Sequence, residues 1–453
     1  VPKGSPWFVF DLDVYGRRGV WIAFFVTMVG AAAVYAGKAA DERSAFIRWR
    51  HQVLEFRDGK NIWDTYFFPN PPIMPLTLEP FMALPPVPGA LTWFALKAVL
   101  AAASILLCLR MVRPPGVKFP FWAEALVILL SLRPILSDLH HGNNNLLILF
   151  LVVATLAAWR KGYDVLAGLV LALAITYKVT PALFVPYFLY KRSWRVVVAT
   201  ALGIGAFLLI VPSLALGPQL NGLYLATWWR RILSPFVVGD VVSVQEPNQS
   251  MVGVLTRLLS APKMVDDHGY GGTKLAVNFV AWPPSVVVPL VKGLSIALVL
   301  LLALFCRTRA ARRDDPRLLG EFALVVLTML FVSERSWKHH FVTLLLPYAY
   351  LVYRAAVAPG SPRLRVALGS CLALSALLMA ATSSEVGRLF AHGKGHKLAQ
   401  GYGLFFWAGA VLYAATAWRV VAERGPRASV PEPREPTIPP PHRPATSQRP
   451  LAT

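Results

Sequence analysis

The chain has 453 residues, of which 56% are hydrophobic and 15% charged, with a mean hydropathy of +0.53. That balance excludes an ordinary soluble domain and requires the apolar excess to be solvated by lipid. The formal charge of +22 would suggest a nucleic-acid partner in a soluble protein, but Lys and Arg sit in short clusters between apolar runs, a placement that sets membrane topology instead.

Long apolar runs recur at 20–37, 146–159, 196–217, 286–306 and 403–418, the fourth interrupted only by Lys292. Each approaches the roughly 20 residues that a helix needs to cross a bilayer. The chain opens on Val1, as a fragment or a chain without its initiator would. A cleaved signal peptide is not expected, because the first run is long and lacks a clear small-residue cleavage site. Cys108, Cys306 and Cys371 fall in or at the end of apolar runs, where they act as small buried side chains, with neither a disulfide frame nor a metal spacing.

Short basic groups mark the cytoplasmic side: Arg17 and Arg18; Arg110, Arg113 and Lys118; Arg160 and Lys161; Lys191, Arg192 and Arg195; Arg307, Arg309, Arg312, Arg313 and Arg317; Arg354, Arg363 and Arg365; Arg419, Arg424 and Arg427. Two crossings fit between consecutive groups. The expectation is an all-α, polytopic transmembrane helical bundle of about twelve spans with both termini inside. Segments 38–88, 137–145, 177–181, 218–284, 333–340 and 383–400 then fall outside, and nearly every unusual polar residue lies in them.

The first outer segment begins with Asp41, Glu42 and Arg43, then mixes Phe46, Ile47, Trp49, Val53, Leu54 and Phe56 with Arg48, Arg50, His51, Glu55 and Arg57. Residues 44–57 are expected to form a helix lying in the interface, apolar face toward lipid, which by itself needs no further function. Acids at the mouth of a membrane cavity are also general-base candidates, since desolvation raises their basicity. The aromatic and proline-rich stretch 59–72 suggests a rigid loop, and 72–84 a partial or re-entrant helix.

Next comes Asp138-Leu139-His140-His141-Gly142-Asn143-Asn144-Asn145, where a helix-capping Asn accounts for one or two polar residues but not for three Asn and two His. Tyr177-Lys178-Val179-Thr180-Pro181 puts a Lys amid apolar sequence, either snorkelling to the interface or neutralising a phosphate. Asn248-Gln249-Ser250 is by itself no more than a polar loop. Ser333-Glu334-Arg335-Ser336-Trp337-Lys338-His339-His340 would suit an anionic leaving group, whereas zinc would need ligand spacing that is not present. Residues 423–453 turn to Pro, Arg, Glu, Ser and Thr, the composition of a disordered cytoplasmic tail beyond a membrane domain spanning 1–422.

At these positions the chain resembles the polytopic glycosyltransferases of the C superfamily, in particular glycosyltransferase family 87, bacterial mannosyltransferases that use polyprenyl-phosphate sugars. Gly59 followed by Trp63 and Phe68-Pro69-Asn70-Pro71-Pro72 looks like the family's glycine, tyrosine and Tyr-Pro-Pro stretch. Gly142-Asn143-Asn144-Asn145 looks like its Gly-Gln-x-Asn turn, Lys178-Val179-Thr180-Pro181 like its Lys-x-x-Pro, Asn248-Gln249-Ser250 like its Asn-Gln-Ser, and Ser336-Trp337-Lys338-His339-His340 like its Ser-Trp-x-His-His. The likeness covers roughly residues 19–422. One departure is specific: the family's Asp before the loop glycine would fall near Ala45, and Asp41 and Glu42 are displaced from it.

The resemblance implies a hexosyltransferase of the bacterial plasma membrane, moving mannose foremost from a polyprenyl-phosphate donor to a glycan or glycolipid acceptor on the outer face. It implies Asp41 or Glu42 as the base, Lys178, Arg335, His339 and His340 on the donor phosphate, and His141, Asn143, Asn145, Asn248 and Gln249 on sugar or acceptor. No metal, other cofactor or nucleic acid is implied, and lipid is the solvent. The absence of a phosphate loop or dinucleotide fingerprint suits a donor that is already activated. A transporter or flippase would be polytopic and basic inside too, but it places charges near the midplane and shows repeated halves. A noncatalytic scaffold would not need several polar turns on one face.

Overall fold

The computed structural model describes residues 12–66, 68–113, 116–237, 243–260, 277–308, 313–358, 360–387, 389 and 395–423. The expected tail beyond Glu423, with Arg424 and Arg427, lies outside the described residues, as do Arg309, Arg312 and the middle of the long stretch 218–284. Among the described residues the elements are helical, apart from one isolated bridge between Ser260 and Trp282.

The first half of the bundle runs α1 (Leu12–Ala40), α2 (Ala45–Arg57), α3 (Ile62–Thr65), α4 (Ile73–Met82), α5 (Pro86–Val112), α6 (Phe121–His141), α7 (Asn145–Arg160), α8 (Asp164–Tyr177) and α9 (Phe184–Tyr190). It continues through α10 (Trp194–Gly205), a π-helical turn at Ala206–Ile210, α11 (Val211–Leu216), α12 (Pro218–Trp228), α13 (Ser234–Val237) and α14 (Met251–Leu259). The second half is α15 (Pro284–Phe305), α16 (Arg317–Val332), a 3₁₀ turn at Lys338–Leu344 running into α17 (Leu345–Ala356), α18 (Pro362–Ala381), α19 (Ser384–Gly387), α20 (Gly395–Gly401) and α21 (Leu404–Ala422).

Among the described residues six helices are long and apolar enough to cross a membrane: Asp13–Ala40, Pro86–Val112, Trp194–Leu216, Pro284–Phe305, Pro362–Ala381 and Leu404–Ala422. They keep large apolar side chains on the outside, including Phe25, Leu202, Leu214, Leu300 and Leu377, as a surface solvated by lipid does. The remaining expected crossings fall on segments that are shorter or interrupted by charge, such as α6 with Glu124, Arg133 and Asp138. α7 and α16 are sheathed by neighbours, and α16 is buried from Leu318 to Phe331. A helix enclosed by protein does not have to satisfy a lipid-facing criterion along its length.

The basic groups converge at one end. Arg17 pairs with Glu124 and donates to the Phe119 carbonyl. Arg313 pairs with Asp164, Lys191 with Glu321 at 2.6 Å, and Arg354 with Glu423. The polar turns gather elsewhere, with the layer formed by α2, α3 and α4. Ser44 caps α2, its hydroxyl accepting from the Ile47 amide at 3.2 Å. The apolar face of α2 is not laid on lipid as the amphipathic pattern suggested. Phe46, Val53 and Phe56 are buried in protein, and Phe56 meets the ring of Trp63 edge-on at 5.8 Å. The rigid loop that follows α2 supplies the cover: Tyr224 of α12 donates to the Gly59 carbonyl, Trp228 to that of Pro69, and Trp63 to that of Asn70. The re-entrant expectation for 72–84 meets a ten-residue helix, α4, buried along Met74, Leu78 and Met82.

Candidate active site

A cavity of about 400 Å³ opens where five of the outer segments meet, 218–284 reaching it through Trp228. α2 supplies Arg48 and Trp49, and the loop after α3 supplies Pro69, Asn70 and Pro71. The turn after α6 supplies His141, Asn143 and Asn144, the end of α8 supplies Tyr177 and Lys178, and the segment before α17 supplies Arg335, Trp337, His339 and His340.

The α6–α7 turn is built on Gly142, which ends α6 with φ +77°. A side chain there would place its first carbon 2.7 Å from the Tyr35 hydroxyl and 3.1 Å from Phe46, so only glycine meets both the backbone and the space. The Asn143 side-chain oxygen accepts from the Asn144 amide at 2.7 Å, which turns its NH₂ toward His339 Nε2 at 3.1 Å. Nε2 of a neutral His339 is then the acceptor and Nδ1 carries the proton. That Nδ1 is buried with no partner among the described residues, a donor available to an oxygen in the cavity. His141 stacks on His339 at 4.5 Å between centroids, and His340 meets His339 edge-on at 4.8 Å. His340 accepts at Nδ1 from the Trp337 amide and so holds the start of the 3₁₀ turn in place.

Lys178 reaches the cavity from the end of α8. Its ammonium donates to the Asn145 side-chain oxygen at 2.7 Å, and the Asn145 NH₂ donates to Asp138 at 2.9 Å. Asp138 also accepts from the Asn145 and Leu146 amides and pairs with Lys97 at 3.3 Å, both partners of that pair being fully buried. Because an ionised carboxylate only accepts, Asp138 forces the Asn145 amide nitrogen inward and its oxygen toward Lys178. Asn145 therefore positions Lys178 and does not itself line the main cavity. Burial pushes Lys178 down to about 7, with Asp138 opposing the shift, so its charge is within reach of physiological pH.

Asn248 and Gln249 stand away from the cavity wall, both fully buried. The Asn248 NH₂ donates to the carbonyls of Ser243 and Glu334, and its oxygen accepts from the amides of Ser250 and Ser336. Gln249 ties to the carbonyls of Glu246 and Gln400 and to the Phe405 amide. Their groups are spent on backbone, and what they hold is the segment carrying Arg335, Trp337, His339 and His340.

Asp41 and Glu42 follow α1, four and three residues before Ala45, which lines the cavity; both are exposed and neither lines it. Asp41 pairs with Arg43 at 2.6 Å, whereas Glu42, at φ +56°, makes no ion pair among the described residues. Among the described residues lining the cavity there is no carboxylate; the charged side chains are Arg48, Lys178 and Arg335. The electrostatic character is that of an anion site. Among the described residues no group of three or more His, Cys, Asp or Glu is arranged to hold a metal ion. Sequence reasoning did not reach Trp228, Tyr177 and Asn144 as lining residues, nor Lys97 as the partner of Asp138. The signal for Lys97 was a Lys inside an otherwise apolar helix.

A family model described as "Glycosyltransferase family 87" matches residues 67–333, more than half of the chain. The chain is 28% identical over 313 residues to the polyprenol-phosphate-mannose-dependent alpha-(1-2)-phosphatidylinositol mannoside mannosyltransferase of Mycolicibacterium smegmatis, which covers 63% of this chain and 62% of that protein. It is 26% identical over 304 residues to the protein of the same description from Mycobacterium tuberculosis, covering 63% and 61%. The chain thus spans just over three fifths of the length of the curated relatives it matches. No solved structure matches significantly.

Proposed function

Because the chain belongs to glycosyltransferase family 87, we propose that this multi-pass membrane protein transfers a hexose, mannose foremost, from a polyprenyl-phosphate donor to a glycan or glycolipid acceptor. The observation that carries the reading is the convergence of Arg48, Lys178, Arg335 and three imidazoles on one cavity in a membrane-embedded bundle. The donor's lipid lies between helices and its phosphate among Lys178, Arg335 and the His339 Nδ1–H, with His340 shaping the turn. Preorganised donors of this kind are worth roughly 3 kcal/mol each at a developing phosphate anion. Asn143 and His141 face the sugar or acceptor hydroxyls, while Asn145, Asn248 and Gln249 serve by holding those groups. The basic loops lie on the cytoplasmic side with both termini, and the cavity on the outer face. The site as read uses no metal.

In the step itself the acceptor oxygen attacks the anomeric carbon, the bond from that carbon to the phosphate oxygen breaks with inversion, and polyprenyl phosphate leaves with the electron pair. The acceptor proton goes to Glu42 or Asp41, Glu42 making no ion pair among the described residues. A second reading is favoured by the carboxylate-free lining: His141, already in the cavity although burial and the surrounding cations push its imidazole down to about 3, takes the proton.

Purified protein supplied with synthetic polyprenyl-phosphate mannose and a glycolipid acceptor tests both. Loss of transfer in Glu42→Gln or Asp41→Asn, with His141→Gln active, supports the first reading; the converse supports the second. No transfer from any polyprenyl-phosphate sugar by the wild type refutes the function.

A further inference from the structure

At the end opposite the candidate active site, a cleft of about 810 Å³ opens between the α7–α8 turn and the α9–α10 turn. Six cationic side chains and two carboxylates, Asp164 and Asp314, line it. Three of the cations build its wall. Arg160 donates to the carbonyls of Arg313 and Asp314, Arg313 pairs with Asp164, and Lys191 bonds Glu321 and the carbonyls of Cys306 and Thr308. The other three, Lys161, Arg192 and Arg195, are exposed and make no ion pair among the described residues. A cleft whose three structural cations are already occupied, two by carboxylates and Arg160 by carbonyls, yet which adds three more, is built for an anion.

Its surroundings say which kind. Trp194, in the cleft, and Tyr163, beside it, are each 60% exposed, the placement of aromatic side chains at a membrane–water boundary. From there α8 and α10 run side by side, Gly168 so close to Ala199 that a side chain on it would meet the Ala199 methyl at 2.5 Å. The seam leaves Val165, Leu166, Val198 and Leu202 exposed. Apolar surface thus continues directly from the charged cleft, and a soluble anion would use only half of the site.

We propose that this cleft binds an anionic glycerophospholipid, its phosphate held by Lys161, Arg192 and Arg195 and its acyl chains lying along α8 and α10. The site is separate from the sugar-transfer cavity and does not depend on that reading. Basic side chains near a membrane surface each add a modest attraction to anionic lipid, so removing two should weaken binding roughly thirtyfold.

The test uses the full chain in phosphatidylcholine bilayers titrated with phosphatidylglycerol carrying brominated chains. The quenching assigned to Trp194 is the difference between wild type and Trp194→Phe. Saturable quenching by brominated phosphatidylglycerol, weakened in Lys161→Gln/Arg195→Gln and unaffected by millimolar inorganic phosphate, is the expected result. Equal quenching by brominated phosphatidylcholine, displacement by inorganic phosphate, or an unchanged titration in the double variant overturns the proposal. Both substituted residues are exposed, and native mass spectrometry of the wild type, retaining phosphatidylglycerol over phosphatidylcholine, provides a readout that needs no variant.

Discussion

Asp138→Asn isolates the part of the site that depends most on long-range packing. Asp138 and Lys97 are both fully buried, 41 positions apart, and the Lys97 ammonium reaches both the carboxylate and the Asp138 carbonyl. The amide keeps the size of the side chain and one acceptor for Asn145, but it leaves the Lys97 charge uncompensated in the bundle. Breaking a buried pair from one side costs about 3–5 kcal/mol. Adding Lys97→Met removes that stranded charge, and most of the lost stability should return, because the uncompensated charge is what makes breaking a buried pair costly. What does not return is the orientation of Asn145. With an amide at 138, either end of the Asn145 side chain can face inward, and the acceptor that holds Lys178 is no longer dictated. The double variant should therefore unfold near the wild-type midpoint while its KM for donor rises roughly ten- to a hundredfold, one lost charge-assisted hydrogen bond being worth about 1.5–3 kcal/mol. Unfolding is followed in detergent by reaction of the buried Cys108 with a thiol dye, and KM by transfer from the synthetic donor. An unshifted midpoint in Asp138→Asn, or wild-type donor KM in the double variant, refutes the argument.

Lys178 should make donor binding depend on pH. Its cation is present below about 7 and lost above it, so donor affinity in the wild type should fall between pH 6 and 9, whereas Lys178→Arg, which stays charged, should bind evenly over that range. The same depressed value has the opposite sign for stability: from about 7 up to the ordinary Lys value the unfolded chain holds more protons than the folded one, so the empty protein should gain stability as pH rises through that window, a trend that Lys178→Met abolishes in thermal unfolding. Gly142→Ala should destabilise by about 1–3 kcal/mol, from the left-handed backbone and the crowding against Tyr35 and Phe46, read as a lowered unfolding midpoint. Asn248→Ala removes four hydrogen bonds to backbone far from the substrate. It should lower kcat together with the unfolding midpoint, and an altered choice of sugar with an unchanged midpoint would instead place Asn248 on substrate.

Much of this was legible in the chain because it is local. Hydropathy over a span-length window makes a helix a membrane candidate whatever it packs against, and six helices among the described residues meet that criterion. Turn chemistry is local as well: Gly142 sits at a helix end where φ is positive, and Ser44 caps α2. The number of lipid-facing spans was less legible, since α7 and α16 are apolar for the sake of protein neighbours, and composition cannot distinguish a lipid partner from a protein one.

Which polar side chains face the cavity was decided by the tertiary structure. Asn143 and Asn145 are two residues apart in the same turn, yet one points at His339 and the other is drawn inward by Asp138. Asn248 and Gln249 carry the same groups as a sugar-binding pair but are consumed by the backbone of 243–246, 334–336 and 400–405. Residue type tells what an amide can bond, and the sequence by itself determined the helices, their apolar surfaces and the turns that carry such groups. The bond each group makes depends on which distant acceptor lies nearest once the helices are packed, and so the cavity, its positive lining and the Lys97–Asp138–Asn145–Lys178 chain exist only in the folded bundle.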